Sequence, residues 1–158
     1  MILQLLRHGE AESRASARSD FERHLTGNGA ELVRRTSVMA LELGASVDSI
    51  ISSPYVRARE TAEIAGQVFG VSKVLENSLL EPTSYRTEVL RELAVGNFEG
   101  DLLLVSHQPL ISGLISSLLG WDEDSFALRP GTFVRIDVKD FDNASAGRLI
   151  YFVPPPAR

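Results

Sequence analysis

Arg7-His8-Gly9-Glu10, Ser52-Ser53-Pro54 with Arg57, and Ser106-His107-Gln108-Pro109 share one position in the pattern of this chain. Each directly follows a short apolar run, at Ile2–Leu6, Ser49–Ile51 and Leu102–Val105, of the length expected for a buried strand. In open α/β sheets, ligands bind beyond the carboxyl ends of the strands, near the switch in strand order. Two histidines and two arginines that lie far apart in sequence are therefore expected to converge.

Such a cluster suits a phosphoryl group. Arginine offers a rigid fork of donors matched to phosphate oxygens. One neutral imidazole can attack phosphorus while a second donates to the oxygens. Helix starts after Ser53 and Gln108 would add backbone N–H groups and positive dipole ends. Gly9 would let the backbone pass close to a ligand. The constellation reads as a metal-free, cofactor-free phosphoryl-transfer site with a histidine nucleophile. A metal held by His8, His107 and Glu10 is disfavoured, because the neighbouring arginine would repel the cation.

Blander roles compete for the same residues. A lone histidine is more often a structural one bonded to a carbonyl. Arg57 on a helix surface could pair with Glu60 or Glu63, and Ser53-Pro54 reads as a helix cap rather than a nucleophile. His24 reads as a loop residue that could border the pocket, and Arg14 and Arg18 as loop cations that could reach an acidic partner.

The elements that must position these side chains alternate. After the first strand, Ala11–Arg23 is small, polar and charged, hence a surface loop. Thr26 then caps a helix running from Gly29 to Leu43 and closed by Gly44. A helix carrying Ala58, Ala62, Ala65 and Phe69 ends at Gly70, and Val71–Leu75 reads as a third strand. Tyr85–Ala94 reads as helical. Pro109 opens a helix with the stripe Leu110, Ile111, Leu114, Ile115, Leu118 and Leu119. Thr132–Val138 alternates as a more exposed strand, with Arg148–Val153 as its hairpin partner. Strand–helix alternation of this kind predicts a three-layer α/β/α fold, a mostly parallel central sheet with helices on both faces. The whole chain, 1–158, reads as a single domain, with 154–158 a loose tail after the Pro154-Pro155-Pro156 run.

Composition narrows the function classes. The 158 residues are 44% hydrophobic and 23% charged, as in an ordinary soluble domain. There is no cysteine, which excludes disulfides, zinc–thiolate centres and a cysteine nucleophile. A net charge of −5 disfavours nucleic acid and anionic membranes as partners, so an anionic substrate must be drawn by a local positive pocket. No apolar run approaches a membrane span, and Arg7 follows the first apolar run instead of preceding it, unlike a signal peptide. The cytoplasm is the expected compartment.

Taken in order, Leu6-Arg7-His8-Gly9-Glu10-Ala11, Leu25-Thr26 with Gly29, Ser53-Pro54 with Arg57-Ala58 and Thr61, Leu80 with Pro82, and Val105-Ser106-His107-Gln108-Pro109 carry a family resemblance. The chain resembles the histidine phosphatase superfamily, of phosphoglycerate mutase-like fold, and within it the small phosphohistidine phosphatases of the SixA type. The resemblance implies that His8 is the phosphoryl-accepting nucleophile, that Arg7 and Arg57 bind its oxygens, and that His107 completes the pocket. It also implies a phosphohistidine-bearing protein as substrate, with a small phosphorylated molecule, or a non-catalytic phosphate-binding domain, as alternatives.

Two positions depart from the family pattern. Glu60 stands where a glutamine is common, and Gln108 stands where larger members can carry an acidic proton donor. Glu81 is the remaining candidate donor and substrate contact. A P–N substrate relaxes the need for an acid, because a ring protonated on its other nitrogen departs as neutral imidazole, whereas a sugar alkoxide requires a well-placed acid.

Overall fold

The computed structural model describes residues 1–122, 126–143 and 145–157. Six strands form one sheet: β1 (Ile2–Arg7), β2 (Ser49–Ser52), β3 (Val74–Glu76), β4 (Leu102–Ser106), β5 (Phe133–Val138) and β6 (Gly147–Val153). Among the described residues four helices connect them: α1 (Gly27–Glu42), α2 (Val56–Phe69), α3 (Arg86–Val95) and α4 (Leu110–Leu119), with a 3-10 turn at Ser78–Leu80. The strand order is β3-β2-β4-β1-β5-β6. The first four strands pair in parallel, while β5 and β6 form an antiparallel hairpin against β1.

The alternation of side chains along each strand builds two cores. Leu3 and Leu5 of β1 face Leu110, Ile111, Leu114 and Leu118 of α4 and Val89 and Leu93 of α3. Leu6, Ile50, Leu103 and Val105 face the small residues Ala58, Ala62 and Ala65 of α2 and Ala40 of α1. The expected α/β/α layering is therefore present, with α1 and α2 on one face and α3 and α4 on the other. Among the described residues no helix is long and apolar enough to cross a membrane.

Local signals explain most boundaries. Thr26 caps α1 by accepting from the Gly29 N–H at 2.9 Å. Gly70 and Gly120 end α2 and α4 in the left-handed region, at φ +76° and +69°.

Several sequence-based expectations are corrected. Helix α2 begins at Val56 with Tyr55 as its cap residue, so Ser53-Pro54 lies upstream of the helix, and the Ser53 hydroxyl does not cap it. The third strand is shorter than expected, at Val74–Glu76. Strand β5 is not an exposed strand. It sits between β1 and β6, and Phe133, Val134, Ile136 and Val138 are all buried; its alternating charges, Arg135 and Asp137, lie on a half-buried face. The segment after β6 is not uniformly loose, since Pro155 is buried.

Candidate active site

The switch in chain direction fixes where the site must be. From β1 the chain crosses to α1 on one face; from neighbouring β4 it crosses to α4 on the other. A crevice at the carboxyl ends of β1 and β4 follows from that divergence. Arg7 and Ser106 are Cα partners in the β1–β4 ladder, and the His8 N–H donates to the Ser106 carbonyl at 3.0 Å. His8 and His107 therefore leave the sheet side by side, with ring centroids 4.9 Å apart and planes at 56°.

Each group is held by identifiable contacts. His8 is 8% exposed, and its Nδ1–H donates to its neighbour, the Gly9 carbonyl, at 2.7 Å. That leaves Nε2 unprotonated, where it accepts from the Arg57 Nε–H at 3.3 Å. Arg57, from the first turn of α2, is 4% exposed. Its Nη1 donates to the Asp20 carbonyl at 2.6 Å and its Nη2 to the Asp20 carboxylate at 3.2 Å. The other Asp20 oxygen accepts from Arg23 at 2.9 Å, with Arg14 3.6 Å away. Burial works to raise the Asp20 carboxyl, but the hydrogen bonds and charges of Arg23 and Arg57 outweigh it and hold it below the usual carboxylate range.

Arg7 reaches across the site to the Leu128 carbonyl, and among the described residues its buried Nε has no hydrogen-bond partner. His107 is 1% exposed; its Nε2 lies 2.7 Å from the Ser53 Oγ, and its buried Nδ1 has no partner among the described residues. Tyr55 sets its ring edge-on to His107 at 5.0 Å and lies under the Arg57 guanidinium, also at 5.0 Å.

Both imidazoles stay neutral. Burial, reinforced by Arg57 and Arg7 and only partly opposed by the Gly9 hydrogen bond, lowers the His8 pKa to about 3. Burial, then the neighbouring His8 and Arg57, lowers that of His107 to about 2. A neutral His8 with a bare Nε2 is the nucleophilic form.

The remaining candidates fall elsewhere. The Gly9 N–H donates to the Thr61 Oγ at 3.1 Å, and a Cβ there would meet Val33 at 2.7 Å and the Gly29 carbonyl at 2.9 Å, so the glycine is needed to seat α1. Glu81 ends the 3-10 turn whose Leu80 carbonyl accepts from Ser106 Oγ at 2.8 Å. Among the described residues its carboxylate has no hydrogen-bond or ion-pair partner. Gln108 turns its amide to Ser112. A cleft of about 710 Å³ opens beside it, between the starts of α3 and α4, with Tyr85, Arg86, Ser112 and Phe126 in its walls. Glu60 has a structural use: its two oxygens take His24 Nδ1 at 2.6 Å and the Leu25 N–H at 2.8 Å, clasping the loop to α2. That bond raises the His24 pKa. Among the described residues no group of three or more histidines and carboxylates could hold a metal ion.

Sequence reasoning missed two site residues. Asp20 is one polar residue in a charged loop, and nothing in its spacing signals that it grips a helix residue 37 positions away. Ser53 carried a signal, the turn before α2, but it pointed to capping.

Comparisons with known proteins agree with this geometry. Residues 3–100 match the model of the histidine phosphatase superfamily (branch 1). The chain is 32% identical to the phosphohistidine phosphatase SixA homolog of Haemophilus influenzae, over 86% of this chain and 87% of that one. In structure it is similar to the protein histidine phosphatase SixA complexed with tungstate, with a TM-score of 0.85 at 24% identity over 98% and 97% of the two chains. It is also similar to a phosphoserine phosphatase of Entamoeba histolytica in complex with 3-phosphoglyceric acid, with a TM-score of 0.71 at 19% identity over 96% of each chain. With its paired histidines and arginines at the switch point and these relatives, the chain belongs to the histidine phosphatase superfamily and is a phosphatase of that family.

Proposed function

We propose that this protein is a protein phosphohistidine phosphatase working through a phospho-His8 intermediate. The observation that carries the reading is the state of His8: its proton is fixed on Nδ1 by the Gly9 carbonyl, and its bare Nε2 points at the Arg57 guanidinium. Phosphoryl oxygens would take the remaining donors of Arg7 and Arg57, with His107 as a further donor, and this places phosphorus in front of Nε2. The Nε2–P bond forms as the P–N bond to the substrate breaks. The electron pair returns to the substrate imidazole, which keeps the proton on its other nitrogen and leaves neutral. Water then attacks the phospho-His8 phosphorus, and the His8 ring departs the same way, with its proton still on Nδ1.

Gln108, not an acidic residue, follows His107 in the sequence, which favours this leaving group over an alkoxide. The SixA homolog of Haemophilus influenzae supports the same substrate class. Glu81, at the end of the 3-10 turn, is the carboxylate available to contact the substrate. Turnover of a phosphohistidine protein or peptide, compared with phosphoserine and sugar phosphates, tests the proposal. The expected result is a kcat/KM at least tenfold higher on phosphohistidine. Preference for a phosphate ester would assign the protein to small-molecule or ester hydrolysis instead.

A further inference from the structure

Ser53 is fully buried at the carboxyl end of β2, outside the helix it was expected to cap. Its hydroxyl oxygen accepts from the Tyr55 N–H at 3.3 Å. The hydroxyl proton also needs an acceptor, since an unmade buried hydrogen bond is costly. Among the described residues the only side-chain or backbone group placed to take it is His107 Nε2, at 2.7 Å. A nitrogen that accepts from a hydroxyl carries no proton. His107 is neutral in this site, so its single ring proton lies on Nδ1. That nitrogen is buried and has no hydrogen-bond partner among the described residues. A buried, unpartnered N–H on a ring whose centroid lies 4.9 Å from that of His8 is a donor awaiting an oxygen.

We propose that Ser53 is a positioning residue for phosphoryl transfer: through its hydroxyl it fixes His107 as the Nδ1–H tautomer, which donates to the transferring phosphoryl group. The proposal rests on the phosphatase reading of the site but not on the identity of the leaving group. The two histidines then share one tautomer and use opposite ends of it. His8 has Nδ1–H tied to a carbonyl and offers bare Nε2 to phosphorus; His107 has Nε2 tied to a hydroxyl and offers Nδ1–H to oxygen. A neutral donor needs no protonation from solvent. With the opposite tautomer, Nε2–H would be spent on Ser53 and the free nitrogen would repel a phosphoryl oxygen.

Ring ¹⁵N chemical shifts distinguish the tautomers and can be read in the unaltered protein at pH 7. The expected result is Nδ1–H for His107. In Ser53→Ala that preference should be lost, with kcat on an aryl phosphate falling at least tenfold and KM changing by less than about threefold, on the scale of losing one preorganised donor. Ser53→Thr, which keeps the hydroxyl, should hold the tautomer and recover kcat relative to the alanine variant. An Nε2–H signal for His107 in the unaltered protein would overturn the proposal, whatever the variants do. So would an alanine variant that keeps both the tautomer and kcat. Because an aryl phosphate reports kcat, poor turnover of phosphohistidine would count against the proposed substrate and leave this test intact.

Discussion

The Arg57 Nε–H donates to His8 Nε2 at 3.3 Å, so the buried cation is aimed at the nitrogen proposed to attack phosphorus. The rest of the guanidinium is fixed from behind by Asp20, through its carbonyl at 2.6 Å and its carboxylate at 3.2 Å. Lysine cannot reproduce this fork, because a single ammonium cannot span the imidazole and both Asp20 acceptors. Arg57→Lys should lower kcat/KM on an aryl phosphate by about 10²-fold. Asp20→Asn keeps the carbonyl and removes the charge, and a loss of about tenfold is expected. Steady-state kinetics of the two variants decide this; a harmless Arg57→Lys would show that the guanidinium geometry is not used.

The lowered histidine pKa values also set a pH dependence of stability. In the unfolded chain both rings protonate as pH falls through about 6.5. In the folded chain His8 resists until about 3 and His107 until about 2. The unfolded state therefore binds more protons below pH 6.5. Stability is fully present above that value and declines as pH falls toward 3, by up to about 1.4 kcal/mol per pH unit for each ring. Denaturant melts between pH 7 and 4 should show the decline, and His107→Asn should make it shallower. NMR titration should leave both rings unmoved from pH 8 to 5; a midpoint near 6.5 for either would contradict the buried neutral state.

Gly29 is a packing requirement in the first turn of α1. A Cβ there would fall on the Glu10 backbone, which cannot move without shifting the strand-to-loop segment that follows His8. Gly29→Ala should destabilise the protein by about 1–3 kcal/mol, the scale of overpacking a fixed contact. It should also lower activity, because Glu10 lies two residues from His8, the proposed nucleophile. Thermal unfolding with parallel kinetics measures both; an unchanged midpoint would refute the contact.

How much of this was legible in the sequence follows from where each residue sits. His8, Arg57 and His107 were readable because each lies just beyond a short apolar strand, and strand ends in a parallel sheet share one edge. The layering was readable from alternating apolar strands and helical stripes. Asp20 was not, because its role depends on how the 11–24 loop folds back onto α2, which no local periodicity encodes. Ser53 was misread for a related reason: serine before proline favours a helix start locally, while the tertiary placement of His107 claims the hydroxyl. Gly9 was read only as a ligand approach; its packing against Val33 and Gly29, of a helix that begins 18 residues later, carries no local signal. The exposure of β5 was misjudged because alternation reads as one solvent-facing side, whereas Val134, Ile136 and Val138 pack into one core and Phe133 into the other.

In the proposed mechanism the charge on the phosphoryl oxygens is carried by the Arg7 and Arg57 guanidinium groups. Turnover should therefore survive dialysis against EDTA with less than a twofold change. Complete loss with EDTA, restored by a divalent ion, would require a different mechanism.

The most direct test of the phospho-His8 intermediate is to trap it. A substrate labelled with ³²P should be mixed with the protein and quenched in alkaline denaturant, since a phosphoramidate is stable to base and lost in acid. The account predicts label on the peptide containing His8, stoichiometric with enzyme at early times, absent in His8→Ala, and still formed slowly in His107→Ala. Label on Ser53 or Ser106, or near-normal turnover by His8→Ala, would contradict it.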